Sequence, residues 1–122
     1  MSVPTRPRVL LAEDHEGVAK ALCRVLAMDF DVVGNVPDGS AVLEAARRLQ
    51  PDMIVLDLNL PNVNGLEACR RITQVNPQAK IIVFTAMNDP GLRQQCLDVG
   101  ASAFLFKGDD DLVSTIKRLC AD

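Results

Sequence analysis

Apolar runs in this chain end abruptly on polar residues at four places. Glu13 and Asp14 follow Val9-Leu10-Leu11-Ala12, and Asp57 follows Met53-Ile54-Val55-Leu56. Thr85 follows Ile81-Ile82-Val83-Phe84, and Lys107 follows Ala103-Phe104-Leu105-Phe106. A short unbroken apolar run bounded by turn residues is the pattern of a strand buried on both faces. Ligands of an open parallel sheet bind beyond the carboxyl ends of its strands, so these residues would share one rim. That rim gathers three carboxylates, a hydroxyl and an ammonium. Two carboxylates about 4 Å apart repel by about 4 kcal/mol at an effective dielectric near 20. One ammonium cannot offset three such groups, so a divalent cation is implied. Oxygen ligands without His or Cys favour Mg2+, which takes one or two carboxylates plus phosphate and keeps waters. The cation, Thr85 and Lys107 would then stabilise the three oxygens of a transferring phosphoryl group while Asp57 attacks phosphorus in line.

Each residue alone has a plainer reading. Asp57 is a candidate nucleophile or metal ligand, yet a lone acid after a strand is often only a loop residue. Lys107 taken singly is a solvated charge, Glu13-Asp14 a cap for the next helix, and Thr85 uninformative. Their joint occurrence at four strand ends points to chemistry.

The elements that must position them can be read in order. Arg8–Ala12 is a first strand. Val18, Ala21, Leu22, Val25 and Leu26 then fall on one face of a helix. Phe30–Val36, interrupted by Gly34 and Asn35, suits a sheet edge and offers no comparable chemical group. Asp38 or Ser40 caps a helix with Val42, Ala45, Ala46 and Leu49 inward, and Pro51 stops it. After the central strand, Pro61 turns the chain, and Asn64–Val75 is a helix with Leu66, Cys69 and Ile72 inward. Lys80–Thr85 is the fourth strand. Asp89-Pro90 starts a poor helix, anchored by Leu92, Cys96 and Val99 and ended by Gly100. Ala103–Phe106 is the fifth strand. The last helix carries Leu112, Val113, Ile116, Leu119 and Cys120, with Asp109–Asp111 at its positive end. Strands alternating with helices in this way predict an α/β fold, a doubly wound parallel sheet covered on both faces. Residues 1–7 read as a loose, flexible arm before a single domain over 8–122.

Composition narrows the function. With 122 residues, 48% apolar and 24% charged, the chain has the makeup of one soluble domain with a real core. A net charge of −3 argues against a general nucleic-acid surface. No apolar run approaches the roughly 20 residues of a membrane span. The start, Met-Ser-Val-Pro-Thr-Arg-Pro-Arg, lacks a signal-peptide core, so a cytoplasmic location is expected. Cys23, Cys69, Cys96 and Cys120 lie far apart, and His15 is the one histidine. This spacing excludes a zinc site and predicts four buried free thiols. His15 reads as a loop or first-turn residue rather than a phosphohistidine.

The ordered set Leu11-Ala12-Glu13-Asp14, Asp57-Leu-Asn-Leu-Pro61 with Gly65, Thr85-Ala86, Gly100-Ala101 and Lys107 resembles the receiver domain of two-component response regulators. The resemblance covers the chain from Arg8 to Cys120. It implies a flavodoxin-like five-stranded sheet in the order 2-1-3-4-5. It also implies that Asp57 accepts phosphate from a sensor histidine kinase. Asp14 and Asp57 would bind Mg2+ directly, with the backbone carbonyl of Asn59, and Glu13 would act through water. Lys107 would pair with the phosphoryl group or Asp57. Thr85 would bind a phosphoryl oxygen and, with Phe104, report the change. Such a domain promotes only its own phosphorylation and dephosphorylation, and is not otherwise an enzyme.

The chain departs from the common pattern in Glu13 where many receivers have Asp, in Gly108 where many have a cis Pro, and in Phe104 where a Tyr would add a hydroxyl. Glu-Asp-His near the start and Gly-Ala-Ser-Ala-Phe-Leu-Phe-Lys near the end look most like receivers joined to LuxR-type helix-turn-helix outputs. The partners implied are the kinase, a second copy in a homodimer, and DNA through an output domain that these residues do not include. A stand-alone receiver is the alternative, as is an interaction module independent of phosphate. A haloacid-dehalogenase-type phosphohydrolase would need an Asp where Asn59 stands. A flavodoxin-like cofactor carrier fits poorly with a chain that has no Trp or Tyr and no Ser/Thr-rich phosphate loop.

Overall fold

The computed structural model describes residues 6–87, 89–107 and 111–120. Its elements are β1 (Arg8–Ala12), α1 (Glu16–Leu26), β2 (Asp31–Val36), α2 (Gly39–Leu49), β3 (Met53–Leu56), α3 (Gly65–Val75), β4 (Lys80–Thr85), α4 (Pro90–Asp98), β5 (Ala103–Phe106) and α5 (Leu112–Cys120). The strands form one parallel sheet in the order β2-β1-β3-β4-β5. The expected fold and strand order are borne out.

Alternation along the strands divides the core in two. Leu10, Ala12, Ile54, Leu56, Ile81 and Val83 pack beneath α2, α3 and α4. Val9, Leu11, Met53, Val55, Ile82 and Phe84 pack beneath α1 and α5. β1, β3 and β4 are buried on both faces, which is why they read as continuous apolar runs. β2 is mostly half-buried, in keeping with its edge position.

Local signals set most helix starts. Asp38, rather than Ser40, caps α2 by accepting from the Ser40 N–H at 2.8 Å. Asn64 caps α3 instead of lying inside it, and Asp89 caps α4. Asp111 accepts from the Ser114 N–H ahead of α5, while Asp109 and Asp110 lie outside the described residues. So do residues 1–5 of the expected arm. Arg6 donates to Ala27 O, and Pro7 O accepts from the Asp31 N–H.

Three expectations are corrected. The buried residues of α1 are Ala19 and Leu26, with Leu22 and Cys23 half-buried, while Ala21 and Val25 face solvent. Ala19 and Leu26 join the cluster beneath α1, with Leu22 and Cys23 packed against it, so the inward stripe sits about one position round from the periodic one. Phe30 is buried but precedes β2, because Asp31 is the first residue to pair with β1. Of the four cysteines, Cys69 and Cys96 are buried, Cys23 is half-buried and Cys120 is exposed. Cys120 ends the last described helix and lies exposed beside Lys80 and Asp52.

Candidate functional site

β1 and β3 are adjacent and end in register at Ala12 and Leu56, so Glu13 and Asp57 leave the sheet side by side. The Asp57 N–H donates to Ala12 O at 3.1 Å and carries the ladder one step further. On the other side, the Lys107 N–H donates to Thr85 O at 2.8 Å and extends the β4–β5 pairing. Lys107 then reaches back across β4, with Nζ 5.9 Å from the centroid of the Phe84 ring. Its ammonium donates to Asp57 Oδ2 at 3.0 Å and to Glu13 Oε1. Burial pulls this ammonium toward the neutral form, but its hydrogen bonds to the Glu13 and Asp57 carboxylates outweigh it and leave its pKa raised.

The carboxylates differ in setting. Glu13 is 2% exposed and Asp57 7%, whereas Asp14 faces solvent. Glu13 Oε2 accepts from the His15 N–H at 3.2 Å, and Asp57 Oδ1 accepts from the Asn59 N–H at 3.0 Å. Oxygens of Glu13, Asp14 and Asp57 all lie within 4.8 Å of one another. An all-oxygen cluster with one solvent-facing carboxylate fits a hard cation that retains water. Thr85 is fully buried, and its hydroxyl accepts from the Met87 N–H at 3.1 Å. Phe104 is buried on the α4 side, in the layer against which Met87, Leu92 and Leu97 pack.

The loop after Asp57 is fastened from two sides. Asn62, at a left-handed φ of 73°, donates to Asp38 Oδ2, and the Gly39 N–H donates to Pro61 O at 3.0 Å. Hydrogen bonds from Ser40 and Asn62 hold the Asp38 carboxyl below the usual carboxylate range. Gly65 lets α3 start directly against Leu58, where a Cβ would meet backbone at 2.6 Å.

Residues 9–117 match the response regulator receiver domain. The chain belongs to this family. As a receiver domain it is 33% identical to transcriptional regulatory protein DegU of Brevibacillus brevis, with 90% of this chain and 48% of DegU covered. It is 32% identical to the nitrate/nitrite response regulator protein NarL of Escherichia coli K12, with 93% and 54% covered. It is also similar to the solved structure of a LuxR-family two-component response regulator from Aurantimonas, with a TM-score of 0.90 and 30% identity. That match covers 96% of this chain and 86% of the other. The chain spans about half the length of the curated relatives it matches.

Within this receiver, Glu13, Asp14, Asp57 and Lys107 converge, while Thr85 ends the intervening strand β4 and Phe104 packs on the α4 side of the sheet. Two participants escaped the sequence reading. His15 caps α1, its Nδ1 accepting from the Val18 N–H at 3.2 Å, and its backbone N–H holds Glu13. Its position directly before the periodic helix was the available signal. Asn35 bonds the Glu13 backbone from the edge strand that offered no evident chemical group.

Proposed function

We propose that this receiver accepts a phosphoryl group on Asp57 from a phosphohistidine of a sensor kinase. An Asp57 oxygen forms the new bond to phosphorus as the phosphorus–nitrogen bond breaks, and the departing imidazole keeps the electron pair. Mg2+, when bound, neutralises the phosphoryl oxygens. Asp14, Asp57 and the carbonyl of Asn59 would hold it, with Glu13 acting through water. Lys107 supplies a second positive charge at the reacting oxygens. The Asn59 N–H keeps Asp57 Oδ1 oriented and leaves Oδ2 facing Lys107. The hydroxyl of Thr85 turns from the Met87 N–H to a phosphoryl oxygen, while the Phe104 ring, already buried, keeps its place.

The observation that carries this reading is the Lys107 ammonium bound to Glu13 and Asp57 together, beside a third carboxylate. The domain acts on itself and turns over no free substrate beyond its own phosphorylation and dephosphorylation. It works in the cytoplasm as the regulatory part of a longer transcription regulator, in keeping with its half-length coverage of DegU and NarL. A homodimer forms through the surface that the phosphoryl group alters. Intact mass after incubation with Mg2+ and acetyl phosphate tests the core chemistry. The parent should gain one phosphoryl mass and Asp57→Asn none. Equal labelling of the two would overturn the assignment of Asp57.

A further inference from the structure

β1 and β2 pair from Arg8–Asp31 to Ala12–Val36, with a one-residue shift between Val9–Val32 and Leu10–Gly34. The extra residue in β2 reverses which face its later side chains take. Asn35 therefore falls opposite Leu11, on the α1 side of the sheet. The pairing of β1 with β2 ends at Ala12–Val36, one residue before Glu13 and Pro37. The Asn35 side chain takes over there. Its Nδ2 donates to Glu13 O at 3.3 Å, and its Oδ1 accepts from the Glu13 N–H at 3.2 Å. One planar amide thus holds both backbone hydrogen-bonding groups of Glu13.

We propose that Asn35 is a positioning residue for the acid pair and sets how well Glu13 and Asp14 hold a divalent cation. This rests on the metal-binding reading given above. Asn35 acts through the backbone: it fixes the main chain from which the Glu13 carboxylate reaches Lys107 and from which solvent-facing Asp14 projects. A groove of about 740 Å3 along α1 is lined by Glu13, Asp14, Asn35 and Pro37. Water in this groove can replace the lost amide hydrogen bonds in a variant. The fold then survives, because no buried group is orphaned, but water does not reproduce the fixed two-point geometry. Partners that orient metal ligands without touching the metal typically carry 10–100-fold in affinity.

The test compares the parent, Asn35→Leu, Asn35→Ala and Asn35→Gln by calorimetric Mg2+ titration and by NMR hydrogen exchange of the Glu13 amide in metal-free protein. We expect the Mg2+ Kd to rise about tenfold in Asn35→Leu and Asn35→Ala. Their Glu13 amide should exchange faster while the urea midpoint stays close to that of the parent. Asn35→Gln, which keeps both amide groups on a longer stem, should recover part of the Mg2+ affinity. Unchanged Mg2+ affinity in Asn35→Leu and Asn35→Ala, with binding intact in the parent, overturns the positioning role alone. A parent that binds no Mg2+ overturns the metal reading and this inference with it. Affinity that falls only in step with the urea midpoint, with no rescue by Gln, assigns Asn35 a merely structural role and also overturns the proposal.

Discussion

The Lys107 ammonium lies 3.0 Å from Asp57 Oδ2, although a whole strand, β4, separates their own strands in the sheet. It also bonds Glu13, so it is the counter-charge for two buried carboxylates. Lys107→Met would leave them facing each other unpaired. Removing one partner of a buried pair costs about 3–5 kcal/mol, and we expect about 2 kcal/mol here because Lys107 is one-fifth exposed. Urea unfolding of metal-free protein at pH 7 measures the loss, and added Mg2+ should reverse much of it. An unchanged midpoint in the absence of metal would show that the ammonium contributes nothing to folding.

Gly65 and the loop after Asp57 are coupled by contact. A Cβ at Gly65 would sit 2.6 Å from Leu58 Cα and 2.9 Å from Leu58 O, so backbone must move to admit it. Gly65→Ala should lower stability by about 1–3 kcal/mol, the usual cost of overpacking. Leu58 adjoins Asp57, so labelling by acetyl phosphate should slow as well. Thermal unfolding and timed intact mass check the two effects, and parent-like values in both would refute the coupling.

The cysteines should react in order of exposure. Burial, with a smaller contribution from nearby Cys96, pushes the Cys69 thiol up to about 12. Cys96 is raised by burial as well. The thiolate is the reactive form, so both should resist alkylation at pH 8 in the native protein while exposed Cys120 is modified first. The raised value also fixes the sign of the stability effect. The unfolded chain ionises this thiol from about pH 9, so the Cys69 contribution is complete below that and is lost as pH rises toward 12. Alkylation followed by peptide mass, and urea midpoints between pH 8 and 11, test both statements.

α4 should be the first helix to respond at the site. Cys96 is its one buried residue, and Gly91 in its first turn weakens it by about 1 kcal/mol relative to Ala. A Cβ at Gly91 would meet Asp89 Oδ1 at 3.4 Å, so Gly91→Ala is tolerated and should slow hydrogen exchange in α4. Phe104 is already buried, so beryllofluoride should change exchange in α4 more than it changes the Phe104 ring environment. Unchanged exchange across residues 86–107, with beryllofluoride demonstrably bound, would eliminate α4 as the responding element.

Much of the candidate site is legible along the chain, because a buried parallel strand needs an unbroken apolar run and its end is marked by the first polar residue. Val9–Ala12, Met53–Leu56 and Ile81–Phe84 end this way at Glu13, Asp57 and Thr85, and Lys107 ends the half-buried run of β5. Capping is equally local, as at Asp38, Asn64 and Asp89, since the side chain bonds an N–H only two or three residues on.

The sequence by itself thus determined the fold class, the rim and its chemical groups. Beyond the Lys107–Asp57 pair that the resemblance implied, tertiary structure decided which of them touch. Lys107 selects Glu13 and Asp57, and that choice depends on strand order and on a contact spanning 94 residues of chain. The inward face of α1, Ala19 and Leu26 with Leu22 and Cys23, was decided by packing against the α1-side cluster of the sheet, which periodicity does not encode. Asn35 shows the same division most sharply. Its face is set by a one-residue shift in pairing with β1, and the period of a single strand carries no information about its partner's register.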